Sequence, residues 1–216
     1  ILVKKLIEQN LYGYDIFTSN VHIAAVTLAV HHVETEFDDI HLHPMPIGSA
    51  TGDASNPISL GSLSFFAGKQ VSVGVQQTLS QGTLGPKNVI AGGKVAVVLP
   101  DLHYSIMNPP FTRPAPNAKI YYSIPNEEKV NKELSRLVRV PAQTKKMKGV
   151  AQPILPASLT AGLGSLFIAG VSKEQRKLKD AVQAIVIPKN ILSGVSWKRT
   201  RDDLLEHYNF KYIVSS

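Results

Sequence analysis

Residues 105–111 (SIMNPPF) constrain this chain more than any other stretch. Two apolar residues, Ile106 and Met107, run into Asn108 and a pair of prolines. Pro109 and Pro110 each lack a backbone N–H and have φ fixed, so neither can carry a central sheet ladder onward. The segment reads as a buried strand that stops at Asn108. In open α/β sheets, ligand crevices lie beyond the carboxyl ends of the strands. An amide at such a place supplies both a donor and an acceptor, and Phe111 adds a flat apolar face. Together they suit a planar polar group such as a nucleobase amine. A turn that merely ends a strand is the other reading, because Asn is a common turn residue.

The remainder of the chain alternates strand-like and helix-like stretches. Residues 1–9 (ILVKKLIEQ) show helical spacing of apolar side chains, with Asn10 as C-cap. Residues 11–16 (LYGYDI) read as a short buried strand with Asp15 at its carboxyl end, and residues 20–31 as a helix capped by Ser19 or Asn20. An acid between strand and helix either hydrogen-bonds a nucleotide ribose or caps the helix. Residues 33–60 lean toward loop, punctuated by Pro44, Pro46, Gly48, Gly52 and Pro57. Residues 63–66 fit a helix or a strand equally, and residues 95–99 (VAVVL) fit a strand. Beyond the prolines come a polar helix over 127–139, an apolar helix over 159–168 and a buried strand over 184–187 (AIVI). A helix over 196–208 with Ser196 as N-cap and a strand over 210–214 (FKYIV) close the chain. This alternation predicts an α/β protein, a three-layer sandwich around a mostly parallel sheet.

Composition narrows the classes. Of 216 residues, 44% are hydrophobic and 18% charged, as in a globular domain rather than a disordered chain. No apolar run reaches the roughly eighteen residues of a membrane span, so no membrane partner is expected. With no cysteine, disulfides and thiolate metal sites are excluded, which fits a cytoplasmic protein. Histidines 22, 31, 32, 41 and 43 raise the question of a metal. His41 and His43 share a face only if their segment is a strand, and surface histidines with no metal are the preferred reading. Charge is one-sided: residues 1–100 carry 5 Lys/Arg against 7 Asp/Glu, a net of −2, and residues 101–216 carry 18 against 9, a net of +9. A basic half points to a polyanionic partner or to a solvated surface. The cluster Lys145, Lys146 and Lys148 is open to the same two readings, as phosphate contacts or as a solvated face.

Asn108-Pro109-Pro110-Phe111 after an apolar strand resembles the catalytic tetrapeptide of the S-adenosylmethionine-dependent amino DNA methyltransferases, the N6-adenine-specific DNA methylase family. The resemblance continues in order. Residues 11–16 with the following Ala-rich helix look like that family's cofactor-ribose strand, and residues 38–46 (DDIHLHPMP) and 60–63 (LGSL) look like the segment after it. Residues 162–169 and 184–194 (AIVIPKNILSG) look like the helix and strand beyond the catalytic loop, and residues 210–214 like the last parallel strand. Residues 67–104 and 112–160 match poorly. The resemblance implies a Rossmann-like methyltransferase fold over residues 1–216, incomplete at its N-terminus, forming a partial catalytic domain without a separate target-recognition domain.

For function, the resemblance implies methyl transfer from S-adenosylmethionine to the exocyclic N6 amine of adenine in DNA, as in restriction–modification. The base must be flipped out of the duplex to reach the site. Asn108 and the Pro109 carbonyl would accept the two amine hydrogens, Pro110 would hold the turn, and Phe111 would stack on the base. Asp15 and Ile16 would hold the cofactor, and Lys145, Lys146 and Lys148 the DNA.

Two features depart from the family. Its Gly-rich cofactor loop should precede residue 1, and its first strand belongs between the strands ending at Asp15 and Asn108. An upstream segment is expected to supply that strand, or residues 95–99 to take its slot. The acid that often follows the LGSL-like segment is here Ser64, with Asp53 or Asp101 as substitutes. The chain alone is therefore expected to methylate weakly or not at all. The alternative is a non-catalytic methyltransferase-like module that binds nucleic acid or a partner subunit, such as a specificity subunit.

Overall fold

The computed structural model describes residues 2–48, 58–68, 71–74, 89–90, 94–111, 127–139 and 154–213. They fall into two compact units, residues 1–100 and 101–216. The division coincides with the change of charge sign, so the first unit is the acidic one and the second the basic one.

In the first unit, helix α1 (Leu2–Asn10) buries Ile7 and leaves Leu2 and Leu6 in solvent. Asn10, expected to cap the helix from outside, is its last residue, and its side chain donates to the Lys5 carbonyl. Glu8 accepts the backbone N–H groups of Asp38 and Asp39, and Lys4 meets the Asp38 carboxylate at 2.7 Å. That anchors the chain just before strand β2 (His41–Pro44), which runs parallel to β1 (Tyr12–Asp15) with Tyr12 opposite His41 and Asp15 opposite Pro44. Helix α2 (Thr18–His31) lies between them in sequence. Residues 33–60 are thus not simply loop. The strand forms because Leu42 is buried and the rings of His41 and His43 stack on Tyr12 and Tyr14 across the ladder. Its Pro44 sits in the last position, where a missing N–H costs least.

Short antiparallel ladders complete this unit: β3 (Ile47–Gly48) with β4 (Ser59–Leu60), and β5 (Val71–Gly74) and β6 (Val89–Ile90) on either side of β7 (Lys94–Val97). Residues 63–66 are helical, α3 (Leu63–Phe66). The strand expected over 95–99 exists as β7, but both of its neighbours are antiparallel. It does not take a place in a parallel ladder beside β1.

In the second unit, β8 (Tyr104–Met107) and β9 (Val182–Ile185) pair in parallel, Tyr104 opposite Val182 and Met107 opposite Ile185. Helices α4 (Glu127–Val138) and α5 (Leu163–Gln175) intervene in sequence, and α6 (Lys198–His207) follows. The polar helix α4 is amphipathic, burying Val130, Leu134 and Leu137. A short 3-10 turn, Leu159–Ala161, stops at Gly162, whose φ of 101° is open to glycine and strained for other residues. One core gathers Ala161, Ile168, Ile191, Trp197 and Leu204, with Met107, Phe111, Ile185, Ile187 and Tyr208 packed on it.

Three expectations fail in this unit. Strands β8 and β9 are not buried on both faces: Ser105 and Met107 point inward, while Tyr104 and Ile106 are 80% and 91% exposed. Residues 210–213 form no strand, because Phe210, Tyr212 and Ile213 are exposed and no ladder holds them. Ser196 does not cap α6; it lies within the 3-10 turn Val195–Trp197, and Trp197 stands at the cap without a side-chain bond. Likewise α2 begins at Thr18, ahead of Ser19 and Asn20, after Phe17. The described residues thus make a mixed α/β protein with two small parallel strand pairs.

Candidate functional site

Asn108 follows directly on the last residue of β8. The final ladder bond runs from the Val186 N–H to the Met107 carbonyl at 3.0 Å, and the prolines end the strand there. The Asn108 side chain is exposed, and among the described residues it has no hydrogen-bond partner. Pro109 is buried, and Pro110 and Phe111 are half-buried, Phe111 against the Trp197 core. A polar amide thus stands in solvent on a base of buried proline and aromatic carbon.

The opposite end of the strand pair is clamped by a residue whose role sequence reasoning missed. Gln175 closes α5 and is 2% exposed. Its amide donates to the carbonyls of Leu102 at 2.8 Å and Val182 at 3.1 Å and approaches the Ser105 hydroxyl at 3.2 Å. Its oxygen accepts from the Tyr208 hydroxyl at 3.1 Å, and burial pushes that phenol's pKa up. One side chain therefore ties α5 to both β8 and β9 and to the chain beyond α6. A neighbouring ion pair, Arg176 with the buried Asp203, joins α5 to α6, and the Ser172 hydroxyl reaches the same carboxylate at 3.3 Å. Gln175 follows Lys173 and Glu174 in the sequence, so nothing there sets it apart from the polar end of the helix.

Asp15 closes β1 as expected, in the unit of residues 1–100, whereas Asn108, Pro109, Pro110 and Phe111 belong to the unit of residues 101–216. Its carboxylate is already engaged. Oδ1 accepts the Phe17 N–H at 2.7 Å and the Asn20 amide at 3.1 Å, and its main-chain carbonyl accepts the Met45 N–H at 2.6 Å. This fixes the turn through the half-buried Ile16 into α2 and explains why Asn20 is not itself a cap. Ser64 is buried, and its hydroxyl accepts the Leu60 N–H at 2.9 Å. A charged carboxylate would be desolvated at that position, which accounts for a neutral residue. Asp101 is exposed. Asp53, Lys145, Lys146 and Lys148 lie outside the described residues.

Because residues 41–44 are a strand, His41 and His43 do share a face, with ring centroids 6.4 Å apart. His43 is buried with no partner for Nδ1, and burial, helped by His41, holds its pKa below the ordinary histidine value. Among the described residues no group of three His, Cys, Asp or Glu side chains could hold a metal ion, and no helix is long and apolar enough to cross a membrane.

The class these features define is a mixed α/β protein in which a polar residue stands at the carboxyl end of each of two parallel pairs. No family model, curated protein or solved structure matches the chain.

Proposed function

We propose that this chain is the base-binding core of an amine-directed methyltransferase, transferring a methyl group from S-adenosylmethionine to the N6 amine of adenine in DNA. The observation that carries the reading is Asn108: an exposed amide with no partner among the described residues, at the carboxyl end of a parallel strand, within Asn-Pro-Pro-Phe. An aromatic amine is a poor nucleophile because its lone pair is delocalised into the ring. Hydrogen bonds from both amine hydrogens, to the Asn108 oxygen and the Pro109 carbonyl, would draw that pair back onto nitrogen as the methyl arrives. S-adenosylmethionine would supply an electrophilic methyl on a sulfonium, and Asp15 and Ile16 stand at the strand end where the family resemblance puts its ribose. Phe111 would stack on the extruded base, worth roughly 1–3 kcal/mol. The +9 charge of residues 101–216 favours nucleic acid among amine-bearing substrates. The exposed face of β8–β9 is compatible with a further covering layer, since parallel strands are normally covered on both faces.

The test is incubation of the protein with DNA and methyl-labelled S-adenosylmethionine, followed by digestion to nucleosides. Label in N6-methyladenine is the expected product. Label confined to cytosine or to protein would overturn the adenine assignment.

A second reading is a non-catalytic methyltransferase-like module that binds nucleic acid or a partner subunit. Two observations favour it: Asp15 Oδ1 is occupied by α2, and Ser64 is turned to its own backbone. Calorimetry with S-adenosylmethionine separates the two. Binding by a longer chain that carries the Gly-rich loop but not by this one supports the enzyme, and binding by neither supports the module.

A further inference from the structure

Gly164 stands in the first turn of α5, where the Asn-Pro-Pro-Phe segment crosses it. A Cβ built on Gly164 would lie 2.9 Å from Cδ1 and 3.1 Å from Cε1 of Phe111, and 3.3 Å from the Pro110 carbonyl oxygen. Real Cβ atoms essentially never come within 3.0 Å of another heavy atom. The ring cannot simply swing aside, because it is packed against the core that contains Trp197 and Ile168. The Pro110 carbonyl is main chain rather than the end of a flexible side chain, and it belongs to the same peptide as the packed Phe111. On the other side of Gly164, Leu163, Ser165 and Leu166 are fully buried, and the Ser165 hydroxyl donates to the carbonyls of Ser158 and Gly162. The first turn of α5 therefore cannot retreat either.

We infer that Gly164 is a positioning residue: its missing side chain is the seat that sets Phe111 and Pro110, and through them the direction in which Asn108 is presented. The inference rests on the methyltransferase reading for its consequence in turnover, but not for the seat itself. In an unobstructed helix, Gly→Ala stabilises by removing backbone freedom from the unfolded chain. Here the close approach reverses that sign.

A double-mutant cycle in the whole chain tests the seat, read by thermal melting and by emission of Trp197, the single tryptophan. Gly164→Ala is expected to lower the melting midpoint by about 2–4 °C and to shift the emission. Phe111→Ala is expected to lower it too, and the double variant to melt no lower than Phe111→Ala alone, because the ring that clashes is gone. Losses that simply add, or a Gly164→Ala protein that melts higher than wild type, would overturn the seat. In methyl transfer, Gly164→Ala is expected to reduce kcat on the order of tenfold or more with the KM for S-adenosylmethionine unchanged, as misplacement by about an ångström can do. Equal kcat in variant and wild type would overturn the positioning role. Label confined to cytosine or to protein would bring down the proposed function instead, leaving the seat to be judged by the cycle.

Discussion

The two units repeat one local theme with opposite outcomes. In each, a polar residue stands at the carboxyl end of the first strand of a short parallel pair: Asp15 is the last residue of β1, and Asn108 is the first residue beyond β8. Asp15 is drawn into its own surroundings: two donors from the start of α2 converge on one carboxylate oxygen. Asn108 is left alone, since the two prolines that follow present no N–H to it. A polar side chain at a strand end is thus a candidate for chemistry to the degree that local backbone has not claimed it. By that measure Asp15 serves the fold first, and Asn108 has no fold-keeping role among its described neighbours.

Substitutions can break this contrast. The largest expected effect lies in the basic unit, whose core is built on Trp197, 1% exposed. Trp197→Ala is expected to cost about 3–5 kcal/mol, enough to unfold residues 101–216 in a denaturant titration followed by circular dichroism. Next comes the clamp at the far end of β8. Gln175→Leu keeps the volume but takes the Gln175 amide from the carbonyls of Leu102 and Val182 and leaves the Tyr208 hydroxyl only its longer contact to the Ser172 carbonyl, at a cost of about 1–3 kcal/mol. Unchanged urea midpoints in that variant would show that the clamp does not hold the strand pair.

Asp15→Ala removes the acceptor for Phe17 and Asn20 and is expected to cost about 0.5–2 kcal/mol, the range for helix-capping groups. Hydrogen exchange should quicken at the amide of Phe17 and in the first turn of α2. If protection there is unaltered, Asp15 is not serving the fold, and the contrast with Asn108 dissolves.

The smallest effect is a pH dependence of the acidic unit. His43 has a pKa in the folded protein below the ordinary 6.5, chiefly from burial. The folded state therefore prefers the neutral ring, and the unfolded chain takes up the proton first as pH falls. Stability is complete above about 6.5 and declines as pH drops below it. His43→Phe should flatten that decline below pH 6.5 in melting curves, whereas an unchanged slope would assign it to another group.

Local signals in the sequence located most elements but not their partners. Prolines after Met107 fixed the end of β8, because they act through the backbone of their own neighbours. Strand β2 was hidden because its stabilisation is across the ladder: His41 and His43 look like surface polar residues until Tyr12 and Tyr14 are placed beside them. The direction of β7 depends on β5 and β6, which no alternation in residues 95–99 records. Residues 210–213 carry strand-forming side chains but gain no neighbour to bond, and propensity alone does not hold a strand. In the candidate site, the position of Asn108 beyond the end of β8 was legible because two prolines follow it. Gln175 and Gly164 were not, since a clamp and a seat are defined by what crosses them.

The most direct test is labelled methyl transfer to DNA by Asn108→Ala beside wild type, on protein shown by its melting midpoint to be equally stable. The expected result is a loss on the order of 10²-fold or more with the midpoint unmoved. Transfer that persists in Asn108→Ala, or a midpoint that falls as far as that of Asp15→Ala, would show that Asn108 is not the group reserved for the amine.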